Sequence, residues 1–178
     1  LSNSKLNRSR TMVVLFILPM WVNILVRTLA TVALFDFFSV PLGEGALIFG
    51  MVYNYLPYMI LPLYSIMTKI DSRVIEAAAD LGANTLQTHK SVILPLSVPG
   101  IVSGITMVFV PSVSTFVISG LLGGSDNYLI GDLISVQFNS AYNLNYGSAT
   151  SLLLMVVVII TMVIFNRLET EDSEATLV

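Results

Sequence analysis

Charge is what this sequence has least of. Only 11% of its 178 residues are Asp, Glu, Lys or Arg, against about a quarter in a soluble domain. Cysteine is absent, which excludes disulfides and thiolate metal sites. There is one histidine and no ligand-spaced cluster of His, Asp and Glu, so no metal centre is expected. No glycine-rich phosphate loop ending in Lys-Ser or Lys-Thr occurs, so the chain does not hydrolyse ATP alone. No catalytic constellation is visible, and nothing points to nucleic acid. The net charge of −3 comes largely from the tail Glu169 to Glu174 and says little about partners. The chain starts at Leu1 rather than Met and has no signal-peptide pattern, as expected of a fragment.

What is there is apolar: 55% of residues, with a mean hydropathy of +0.85. No charge occurs from Gly45 to Thr68, from Ser91 to Ser125 or from Leu133 to Asn166. Each run exceeds the roughly 20 apolar residues that cross a bilayer. A fourth, Thr11 to Val26, is shorter and continues past Arg27. The expectation is an all-α, polytopic transmembrane bundle. A cytoplasmic segment 1–10 precedes a membrane domain 11–166, and a tail 167–178 follows. Span one begins at Thr11, bent by Pro19, and approaches the far interface at Trp21 and Arg27. Thr28 to Gly45 reads as a far-side excursion. Span two runs over about 46–70, a polar hairpin over 71–95, and span three over about 96–119. A second far-side segment, 120–146, carries the apolar stripe Leu129, Ile130, Leu133, Ile134 and Phe138, the pattern of a helix lying in the interface. Span four covers about 147–166.

Four spans place both ends and the hairpin on one side. That side holds Lys5, Arg8, Arg10, Lys69, Arg73, Lys90 and Arg167, and the other only Arg27. The basic side is cytoplasmic.

The hairpin is the longest polar, helix-prone stretch between the chain ends. Asp71 or Ser72 can cap a helix over Val74 to Leu81, which Glu76 and its alanines favour. Gly82 suits the left-handed position past a helix end. Asn84 with Gln87 three residues on has the form of a capping box, and Pro95 stands where the next membrane helix begins. Spacing alone leaves two readings open, an ordinary cytoplasmic loop and a docking element.

Glu76-Ala77-Ala78, Gly82 after three more residues, and Val92-Ile93-Leu94-Pro95 after nine more resemble the EAA loop of ABC importer permeases, with Val92 for isoleucine. The resemblance implies a type I ABC importer permease fold (MetI-like), with four of the usual six membrane helices present and the first two absent. It implies that 76–90 contacts an ATP-binding subunit, with Glu76, Ala77, Ala78, Asp80, Gly82, Asn84, Gln87 and Pro95 as the coupling residues. Wider likeness, in Trp21-x-Asn23-x-Leu25-x-Arg27, in 52–64, in Asp80 to Ala83, in Gly123-Gly124 and in 130–138, is to spermidine/putrescine importer permeases of the B type. That implies a bacterial inner-membrane protein working with an ATPase dimer, a C-type permease and an extracytoplasmic polyamine-binding protein. ATP and Mg would be bound by the ATPase, and this chain would hold no cofactor. Two alternatives stay open: an ABC permease for molybdate, sulfate or iron, and a channel or scaffold with no motor.

A polycation path would use aromatic faces, carboxylates and amide oxygens. Asn54 and Tyr58, four apart, share one helix face, which suits either the passage or interhelical packing. The far-side acids Asp36, Glu44, Asp126 and Asp132 suit cation guidance, receptor docking or a solvated loop. Arg27 reads as an interface anchor or a carboxylate's partner. Ser112, Ser114 and Thr115 stand ready to satisfy backbone freed by Pro111. Gly100 and Gly104 allow tight packing, the partner permease included. His89 reads as a surface residue.

Overall fold

The computed structural model describes residues 11–125 and 127–175, with side chains as far as Arg167. Lys5, Arg8, Arg10, Asp126 and the side chains of the acidic tail lie outside the described residues. Among those described, the regular structure is helical, without strands, and it divides into two units.

The first unit comprises 1–57 and 108–160. Helix α1, Thr11–Trp21, tightens into a 3₁₀ turn at Leu18–Trp21 that holds Pro19. After a break at Val22 and Asn23 the chain bends by 101° into α2, Ile24–Phe37. Asn23 starts α2 by accepting the Leu25 N–H on its side-chain oxygen at 2.8 Å. Most of the expected excursion after Thr28 is therefore helix. Its polar residues do not interrupt the winding, because the Thr28 and Thr31 hydroxyls donate to the carbonyls of Ile24 and Arg27 one turn back. Both threonines are buried with Arg27 and Phe35 on one stripe.

Helix α3, Glu44–Met67, runs on from this unit into the second. The short helix α7, Val117–Leu122, packs on α2 and supplies the centre of the unit's core, with Ile118 and Leu122 fully buried. Gly50 of α3 faces those two side chains so closely that a Cβ there would strike Leu122. Helix α8, Ile130–Asn139, follows, and α9, Leu144–Ala175, begins in this unit.

The second unit comprises 58–107 and 161–178. Helices α4, Ser72–Asp80, and α5, Thr85–Thr88, form the hairpin. A π turn, His89–Ile93, joins α5 to α6, Leu94–Ser114, so that Thr85–Ser114 is one 30-residue apolar helix. A Cβ on Gly100 would stand 3.0 Å from Ile66 and 3.2 Å from the Pro62 carbonyl, and one on Gly104 2.5 Å from the Met59 sulfur. The neighbour these glycines accommodate is therefore α3 of the same chain, not a second permease.

Among the described residues, three helices are long and apolar enough to cross a membrane: Glu44–Met67, Thr85–Ser114 and Leu144–Arg167. A fourth span exists only if the bent pair α1 and α2 counts as one. Span three thus ends at Ser114, five residues before the expected end, because the chain breaks at Thr115 and Phe116 before α7. The helix of span four passes the expected tail boundary at 167 and winds on to Ala175.

Candidate coupling elbow and candidate membrane path

Local sequence dictates the elbow's geometry. Asp71 caps α4, its carboxylate accepting the Arg73 N–H at 3.0 Å. At the other end the Ala83 N–H donates to the Ala78 carbonyl at 3.0 Å and the Gly82 N–H to Ala79 at 2.9 Å. This is the 6→1 and 5→2 pair of a Schellman cap, and Gly82 takes the left-handed position it needs, at φ +81°. Two residues on, Asn84 and Gln87 exchange side-chain and backbone bonds of 2.9 Å, a complete capping box. Both helices of the hairpin are therefore fixed by their own ends.

The elbow's surface is mixed. Glu76, Ala77, Asp80, Gly82, Asn84, Gln87 and Pro95 are exposed, and Ala78 is half-buried. Val74, Ala78 and Leu81 fall at helical spacing on one face, and Leu81 is 89% exposed. Leu86 on α5 is 66% exposed. Apolar side chains on so polar a hairpin remain uncovered in the isolated chain.

The π turn gave no sequence signal. Its closing bond runs from the Leu94 N–H to the His89 carbonyl. Pro95, next in line, has no N–H with which to restore the α register, so one wide turn ends where a donor is missing in any case. The exposed His89 sits at its start, with Nδ1 donating to the Thr85 carbonyl at 2.7 Å, which makes Nδ1 the protonated nitrogen.

The expected path residues differ in their settings. Asn54 is fully buried in the first unit, its Nδ2 donating to the Gly50 carbonyl at 2.8 Å. Tyr58 is half-buried and falls in the second unit. Asp36 stands in the last turn of α2 and Glu44 begins α3, and both are exposed. Asp132 is buried, and its carboxylate accepts the Leu129 N–H at 2.8 Å, capping α8. Helix α8 turns Gly131 onto the backbone of Ser114 and Thr115, too close for a Cβ. Its apolar stripe stays largely outward, with Ile130, Leu133 and Phe138 exposed.

A cavity of about 480 Å³ opens between the end of α6, α8 and α9, walled by Val110, Ile134, Phe138, Leu154, Met155 and Val158. Of the described path candidates, Asn54, Tyr58, Asp36 and Asp132, none lines it. Arg27 is the largest departure from expectation. It is not an interface anchor but a buried residue, 6% exposed, and no carboxylate pairs with it among the described residues. Ser112 and Ser114 donate to the carbonyls of Phe109 and Val110, while the Pro111 carbonyl accepts the Tyr55 hydroxyl at 3.0 Å.

Long apolar helices joined by a doubly capped elbow with uncovered apolar residues define a polytopic helical membrane protein. The chain belongs to the family described as the binding-protein-dependent transport system inner membrane component, which matches residues 3–170. It is 38% identical over 170 residues to the spermidine/putrescine transport system permease protein PotB of Escherichia coli, an alignment covering 86% of this chain and 62% of that protein. It is also 38% identical to PotB of Haemophilus influenzae, over 86% of this chain and 59% of that protein. The chain thus spans about three-fifths of the length of these relatives. In fold it is similar to a chain of the inward-facing MetNI methionine ABC transporter, with a TM-score of 0.68, 20% identity, and coverage of 96% of this chain and 77% of that one.

Proposed function

We propose that this chain is part of a permease subunit of an ATP-driven importer of polyamines in the bacterial inner membrane. Its elbow, 71–95, is the docking element for an ATP-binding subunit. The observation that carries this reading is the elbow itself: two short helices locked by a Schellman cap and a capping box, with Leu81 and Leu86 uncovered. A rigid body with exposed apolar side chains suits force transfer to spans, whereas a flexible loop would absorb it. Glu76 and Asp80, exposed on α4, meet polar or basic groups of the ATPase. The likeness to the two PotB permeases points to spermidine and putrescine as cargo, and a second permease and an external binding protein complete the assembly.

Orientation needs only the three long spans. All four basic residues after Arg27, namely Lys69, Arg73, Lys90 and Arg167, then fall on the elbow's side, and none falls within 115–143. The elbow and the end of α9 are therefore cytoplasmic. Placing the N-terminal segment there as well requires α1 and α2 to count as one span.

The passage is formed together with the partner permease. Tyr58 and the exposed acid Asp36 are its candidates in this chain, with Asp126 a further one; Asn54 and Asp132, buried and bonded within the first unit, would act only by holding its walls in place. The test is uptake of labelled spermidine by proteoliposomes that contain the assembled complex. Uptake that needs ATP and the partner subunits supports the proposal. Uptake without ATP would point to a channel, and ATP-driven uptake of molybdate, sulfate or iron in place of spermidine to another cargo.

A further inference from the structure

Three polar side chains of the first unit are sealed inside it with hydrogen-bonding atoms unspent among the described residues: Arg27 at Nε and Nη1, Asn54 at Oδ1 and Ser119 at Oγ. Their exposures are 6%, 0% and 2%. Arg27 lies on the buried stripe of α2, with Thr28, Thr31 and Phe35. Asn54 lies one turn beyond Gly50, the residue of α3 that meets Ile118 and Leu122 of α7. Ser119 is on α7, which also packs on α2. Helices α2 and α3, which carry Arg27 and Asn54, thus both pack on the short helix that carries Ser119.

The unspent atoms differ in kind. Arg27 has only donors. The amide of Asn54 is oriented, because Nδ2 donates to the Gly50 carbonyl, and so its free atom is an acceptor. Ser119 can serve as either. Thr28 and Thr31 on the same stripe have donated their hydroxyls to their own helix. An anion would satisfy Arg27 and oppose Asn54, and a cation would do the reverse. A water molecule accepts from the guanidinium and donates to the amide and hydroxyl oxygens. The atoms are covered by the chain itself, so a partner's side chain does not reach them.

We propose that Arg27, Asn54 and Ser119 form one buried, hydrated polar site where α2, α3 and α7 meet, with ordered water as its ligand. Buried water with several polar partners is a structural component that is costly to remove. Here it fixes the six-residue helix α7 between two longer ones without a direct side-chain bond.

A double-mutant cycle on thermal unfolding of the detergent-solubilised protein tests this, using Arg27→Met, Asn54→Leu and the pair. Each single substitution strands the other's atoms and should lower Tm by about 2–8 °C. The pair should lose less than the sum by about 2 °C or more, because water and orphaned partners leave together. Asn54→Leu with Ser119→Ala supplies the cycle if Arg27→Met does not fold. Tm should be the same in chloride and in gluconate. Additive losses, a Tm that depends on the anion, or a high-resolution map with Arg27 bonded directly to Asn54 would each overturn the proposal.

Discussion

Gly82 turns the chain at a backbone angle that a Cβ resists. At φ +81°, a β-branched residue costs about 1–2 kcal/mol, whereas asparagine tolerates the left-handed region. We expect Gly82→Val to leave ATP hydrolysis by the reconstituted complex running while spermidine uptake per ATP falls several-fold, and Gly82→Asn to retain most of it. Uptake and phosphate release measured on the same vesicles check this, and normal transport by the valine variant would count against it. Gly131 depends on space rather than angle. A Cβ there would strike the Ser114 and Thr115 carbonyls, so Gly131→Val should destabilise the chain by about 1–3 kcal/mol. Gly120→Ala, whose new methyl meets only Asp132 at 3.8 Å, should leave Tm in detergent nearly unchanged. Gly82 was legible in the sequence because a cap is a local pattern. The burial of Arg27 was not. A cation next to an apolar run reads as an interface residue until the 101° bend and the packing of α2 on α7 enclose it.

The elbow is an element whose ends are written into its sequence. Asp71, Gly82 and the Asn84–Gln87 pair each fix a boundary within one turn, and the structure puts all of them to that use. Asn84→Ala should cost about 1 kcal/mol, read as faster amide exchange over 84–88 with the spans unaffected. Leu81→Asp and Leu86→Asp alter exposed positions, so Tm should move by no more than about 0.5 kcal/mol equivalent. Copurification of the ATP-binding subunit with the permease should drop sharply. Unaltered recovery of the ATPase would remove the elbow as its docking element. Longer elements were legible in proportion to their freedom from charge. The runs behind α3 and α9 announced those spans, since neither carries a charge inside the membrane run. Helix α2 was missed because Arg27 and Asp36 fall inside it and break the apolar run. The π turn was missed because its cause, the donor lacking at Pro95, is also the mark of an ordinary helix start.

At the scale of the whole molecule, fold class and family follow from apolar runs and one polar motif, and family membership rests on a match over residues 3–170. The passage was not legible. Lining a path is a property of helices packed against partners, and the candidates Asn54, Tyr58, Asp36 and Asp132 are each placed by a different local demand. The absence of cysteine makes the central claim directly measurable. A single cysteine is placed at Leu81 or Leu86 in the assembled transporter, then probed with a membrane-impermeant thiol reagent and with a short thiol cross-linker. The account predicts labelling only from the cytoplasmic face and a cross-link to the ATP-binding subunit that shields the site. Labelling from the outside, or a cysteine that cross-links to no neighbouring subunit, would contradict it.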